Sequence, residues 1–176
     1  MPFALAVAAM AVVLAGAGSG TLPVLAENAL PQLATTTHAV SDRDLAADLA
    51  GGSGFRRLLH SWGFVRGRER DFQGESNRID RVVSRTLLFT RPAGARAYVR
   101  FVGSHATALY GAGSSSQRLA NRGRTGYLLD AAPCACHRAS PTLLAVLARG
   151  TRVTWLEANG GAVKPAVVVG LLARAP

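Results

Sequence analysis

The chain has 176 residues, with 20 Lys+Arg against 10 Asp+Glu and a formal net charge of +10. Hydrophobic residues make up 49% of it, too many for a disordered tail, and 19 glycines without a triplet period exclude collagen. Two cysteines cannot frame a disulfide-dense mini-protein, and the length fits one domain.

The basic charge is almost all arginine, since Lys164 is the only lysine. Residues 1–55 carry one arginine and four acids; residues 56–100 carry eleven arginines and four acids. Residues 101–176 carry seven arginines, Lys164 and two acids. Such a surface attracts polyanions: nucleic acid, anionic lipid or acidic glycan. Arginine-biased codon usage would produce the same composition with no anion site behind it.

No charged side chain precedes Glu27. Pro2 to Leu14 is almost wholly apolar, and small residues follow through Gly20. An apolar run ending in small residues reads as a secretory signal over residues 1–20, with Ala15-Gly16-Ala17 or Ala17-Gly18-Ser19 as cleavage contexts. The alternative is a membrane anchor over residues 2–26, long enough for about 20 spanning residues. Against it stand the glycines at 16, 18 and 20, Pro23, and the lack of a basic stop-transfer.

Residues 21–54 then read as a linker holding one short helix. Thr35-Thr36-Thr37 and Gly51-Gly52-Ser53-Gly54 are flexible or turn-forming, and Ser41-Asp42-Arg43-Asp44-Leu45 is a helix start. Residues 55–176 read as a single domain. Phe64 to Phe72 alternates, with Phe64, Arg66, Arg68, Arg70 and Phe72 on one face. After a polar turn, Ile79 to Thr90 is a strand rich in β-branched residues. From Pro92, a helix places Tyr98, Phe101, Val102, His105 and Leu109 on one face. Residues 114–124 are a polar, arginine-bearing loop. Gly126–Ala131, Thr142–Leu147 and Thr151–Glu157 are strands, the last two joined tightly through Arg149-Gly150. Pro165 opens a final helix with Val168, Leu171 and Leu172 on its apolar side.

The predicted order is therefore α-β-β-α-β-β-β-α. This is an α+β fold with an antiparallel sheet of about five strands, one face covered by helices. Val82–Thr90 running into the helix from Pro92, and the hairpin Thr142–Glu157 running into the helix from Pro165, resemble the PsbP/Mog1-like sandwiches. That resemblance implies a central antiparallel sheet flanked by helices. The pattern also looks like small exported bacterial proteins that carry no assigned activity. Fold analogy of this kind supplies no function.

Three features carry candidate chemistry. Cys134-Ala135-Cys136-His137 can form a disulfide between Cys134 and Cys136, which export favours. The same residues can ligate zinc or copper through Cys134, Cys136 and His137, with His38, His60 or His105 as a distant further ligand, or leave two idle thiols. Arg66, Arg68 and Arg70 form an anion-binding stripe, with Phe64 and Phe72 positioned to stack on a base or sugar. Like charges opposite one another destabilise a sheet, so a register placing Arg81 and Arg85 beside the stripe would imply a bound anion. Neutral partners or Asp80 would indicate a solvated face. Glu69 and Asp71 read as charge compensation and His105 as a core histidine.

No G-x-S-x-G elbow, phosphate loop or H-E-x-x-H is present in the sequence. The reading is an exported binding or accessory module at the cell envelope, monomeric by default, not assigned an enzymatic activity. Its partner would be an anionic ligand or envelope component, and a membrane only if the N-terminal segment is retained. Export disfavours nucleic acid. The alternative is a metal-binding or thiol-redox protein using the C-x-C-H segment.

Overall fold

The computed structural model describes residues 21–49, 52–74, 79–131 and 141–176. Its elements are β1 (Ala34–Val40), α1 (Asp42–Asp48), α2 (Gly52–Ser61), β2 (Phe64–Gln73), β3 (Arg81–Phe89) and α3 (Pro92–Ser104). They continue with α4 (Ala106–Tyr110), β4 (Ser115–Asn121), β5 (Arg124–Ala131), β6 (Thr142–Arg149), β7 (Arg152–Asn159) and α5 (Pro165–Arg174). The fold is α+β, but the sheet has seven strands in the order β1-β2-β3-β7-β6-β5-β4, all antiparallel. The expectation of about five strands in the order α-β-β-α-β-β-β-α is therefore wrong in count and order.

Both added strands lie at sheet edges. Ala34–Val40, expected within a linker, pairs along its full length with β2. Ser115–Asn121, expected as a loop, pairs with β5. Both are mostly exposed, so neither shows the apolar alternation of a half-buried strand. Their hydrogen-bond partners define them instead.

Local signals worked where a side chain meets its own backbone. The Ser41 hydroxyl accepts from the Asp44 backbone N–H, and the Asp44 carboxylate accepts from the Ser41 N–H at 2.7 Å. This capping box starts α1. Helix α2 begins in the glycine-rich stretch expected as flexible. It forms because Phe55 and Leu59, one turn apart, bury against Trp62, Tyr98 and Phe101.

The helix from Pro92 stops at Ser104. The Phe101 carbonyl there receives the His105 N–H at 3.1 Å, while the Ser104 hydroxyl and His105 Nδ1 also lie within 3.3 Å and 2.9 Å of it. His105 is exposed, its ring stacked on Phe101 at 4.3 Å, and is not the core histidine expected.

Helices cover both faces of the sheet, not one. On the first face, α1–α4 pack over Leu87, Phe89, Leu129, Leu144, Val146 and Trp155. On the second, α5 and the incoming chain from Leu22 to Leu33 cover Phe72, Val82, Leu128, Ala145, Leu147 and Leu156. Val168, Leu171 and Leu172 are the buried side chains of α5, as its spacing predicts. Among the described residues, no helix is long and apolar enough to cross a membrane.

Candidate anion-binding site

Two tight hairpins close the same end of the sheet. Arg122 and Gly123 link β4 to β5, with φ of 49° and 74°. Positive φ at both central positions is the type I′ pattern that matches strand twist. Arg122 is the one non-glycine residue with positive φ among the described residues. Gly150, with φ of 57°, and Thr151 link β6 to β7.

Strand alternation then sends Arg124, Arg149, Arg152 and Thr154 to the second face, in line with Leu128, Leu147 and Leu156. There they meet Thr86, Pro23 and the end of α5 around a hollow of about 700 Å³. Arg122, Arg124, Arg149 and Arg152 line it, and no acidic side chain does.

The arginines differ in task. Arg124 is buried and donates to the carbonyl oxygens of Leu172 at 2.7 Å, Pro176 at 3.0 Å and Ala175 at 3.3 Å. It thereby satisfies the Leu172 carbonyl in the last turn of α5, which has no helical partner, and holds the two residues that follow the helix. Burial, and then the neighbouring Arg122 and Arg149, pull its guanidinium below the usual arginine range. Arg149 and Arg152 are exposed and stand directly opposite each other in the ladder. Like charges in that position repel. An oxyanion between two guanidiniums removes the repulsion and can accept paired N–H bonds.

The stripe expected to hold an anion is placed differently. Arg66, Arg68 and Arg70 share the second face and lie opposite Leu88, Thr86 and Ser84. Arg81 and Arg85 point to the first face, so the register does not set like charges beside the stripe. Arg68 donates to the Leu22 carbonyl at 3.3 Å and Arg70 to the Leu25 carbonyl at 3.0 Å. Arg70 also donates to the Thr37 hydroxyl at 2.8 Å. These contacts hold the incoming chain on the sheet.

A bulge between Phe64 and Arg66 turns Phe64 to the first face, where its ring meets Phe89 edge-on at 5.8 Å. Phe72 is wholly buried in the second core. Neither ring is placed to stack on a ligand beside the stripe. Glu69 and Asp71 pair with Arg85 and Arg81 on the first face, as charge compensation.

Cys134, Cys136 and His137 lie outside the described residues, as does the stretch 1–20 expected as a secretory signal. His38 faces Glu69 at 3.5 Å and His60 faces Asp42 at 3.0 Å. Among the described residues, no three metal-ligating side chains converge.

The hollow was missed because its parts are scattered through the sequence. The one local signal was Asn121-Arg122-Gly123-Arg124, whose central Arg-Gly pair suits a two-residue hairpin turn.

No protein-family model matches the chain, and no curated protein does either. Among solved structures it is similar to the extracellular domain of PknH from Mycobacterium tuberculosis, at 9% identity over 80% of each chain, with a TM-score of 0.47.

Proposed function

We propose that this chain is an exported binding module whose arginine-lined hollow holds the anionic group of a ligand. The observation that carries the reading is the direct opposition of Arg149 and Arg152 at the mouth of a hollow without acidic lining. Export is supported by the apolar run Pro2–Leu14 and the small residues after it. The lining contains no His, Cys, Asp or Glu, which favours binding over proton transfer or nucleophilic attack at this place. A carboxylate or phosphate suits the paired guanidiniums.

Calorimetric titration with inorganic phosphate and with citrate at low salt tests the reading. Binding is expected, falling as salt rises, and weakened at least about tenfold in Arg149→Ala/Arg152→Ala. Absence of binding to both anions, or an unchanged affinity in the double variant, would refute it.

A further inference from the structure

A second hollow, of about 640 Å³, lies on the opposite face of the same sheet end, between α3 and the β4–β5 hairpin. Arg96, Arg100 and Arg118 line it, all exposed, again without an acidic side chain in the lining. The two hollows are separated only by the ends of β5 and β6, where Thr125 pairs with Ala148. Arg122 and Arg149 stand at the two turns beside that pair. Positive charge thus wraps both faces and the tips of one corner of the molecule. The carboxylates Asp42 and Asp44 follow Val40 at the opposite edge of this sheet end, where Asp42 is engaged by Arg56 and His60.

The incoming chain runs toward this end. The Leu25 N–H bonds the Ser84 hydroxyl at 2.9 Å, and the Thr86 hydroxyl bonds the Pro23 carbonyl at 2.5 Å. Going back from Leu25 to Pro23, the chain therefore advances along β3 toward Phe89. The Phe89 N–H bonds Thr151 in the β6–β7 turn, and Pro23 itself lines the first hollow. The sequence before it, residues 2–20, is uncharged.

From this coincidence of apolar leader and basic corner, we infer that the corner docks on a membrane surface of anionic lipids. The inference rests on the export proposed above and extends the anion site from one hollow to this corner of the sheet. An exported chain emerges beside lipid headgroups at the end where its leader joins the fold. A soluble polyanion would have no reason to select that end. Docking would be chiefly electrostatic, because the exposed large apolar side chains among the described residues are only two, Leu58 on α2 and Val65 on β2.

The test compares pure phosphatidylglycerol vesicles with pure phosphatidylcholine vesicles in a sedimentation assay on the exported protein. Binding to phosphatidylglycerol alone, lost at high salt, is expected. Each surface arginine contributes about fivefold, so Arg96→Ala/Arg100→Ala/Arg118→Ala weakens vesicle binding about a hundredfold. The same variant keeps its phosphate affinity, since these residues lie outside the first hollow. Equal binding to both lipids, an unchanged triple variant, or tighter binding to heparin than to phosphatidylglycerol at equal charge would each overturn the inference. Vesicle binding without phosphate binding would refute the small-anion reading and leave this one standing.

Discussion

Arg85 and Glu69 face each other across β2 and β3 as a buried ion pair, each less than a tenth exposed. Arg85 also donates to the half-exposed Asp48 at 2.6 Å and sits over the Trp155 ring at 5.4 Å. Burial pulls the Arg85 guanidinium down, but Glu69 and Asp48 outweigh it and raise it above the usual range. Removing one partner strands the other charge. Glu69→Ala is expected to cost about 3 kcal/mol, at the low end of the range because Asp48 remains. Replacing both partners, in Arg85→Met/Glu69→Leu, should recover most of that loss. Urea unfolding of the three variants checks this, and a double variant as unstable as the single would refute it.

Tyr98 lies beside that pair with its ring wholly buried and its hydroxyl without a hydrogen-bond partner among the described residues. Burial raises its phenol well above the usual range. A buried hydroxyl that makes no bond has lost its water contacts without compensation. Tyr98→Phe is therefore expected to leave stability unchanged or raise it by about 1 kcal/mol. A loss of more than about 1 kcal/mol in denaturant midpoint analysis would show that the hydroxyl has a partner.

Gly94 sits in the first turn of α3, against the carbonyl of Trp62. A Cβ there would lie 1.8 Å from that oxygen. Helix preference alone favours alanine by about 1 kcal/mol. The clash with backbone outweighs this, and Gly94→Ala is expected to destabilise by about 1–3 kcal/mol net. An increase in melting temperature would show that the contact yields.

Asp42 is held at about 2, below its ordinary 3.8, first by its hydrogen bond with His60 and then by the Arg56 guanidinium. A depressed folded value contributes stability above the unfolded value and loses it on acidification. Docking of α1 onto α2 should thus be intact above about pH 4 and weaken as pH falls toward 2. Asp42→Asn should flatten that part of the melting-temperature profile. Parallel wild-type and variant profiles would remove Asp42 from the acid response.

How legible the fold was can be judged element by element. Helix α5 was readable because Pro165 pre-sets its first turn and the 168–171–172 spacing matches one helical face. Helix α1 was readable because Ser41 and Asp44 bond each other's backbone. Strands β1 and β4 were not, because edge strands exposed on both sides carry no apolar pattern. The turn at Arg149-Gly150 was legible, but its convergence with Arg124 and the end of α5 was not. That meeting depends on α5 returning across the second face to within reach of a strand some fifty residues earlier.

The amino-acid order determined helices α1 and α5, the start of α3 and the buried strands, because caps, proline and apolar period act over a few residues. It also determined the basic charge and the uncharged stretch before Glu27. The tertiary structure decided how many strands pair and which arginines share a surface. Pairing of β3 with β7 joins two antiparallel halves far apart in the chain, and the bulge after Phe64 swaps the face of one side chain. Such long-range hydrogen bonding leaves no periodic trace in either segment alone, so the basic corner exists only once the sheet has closed.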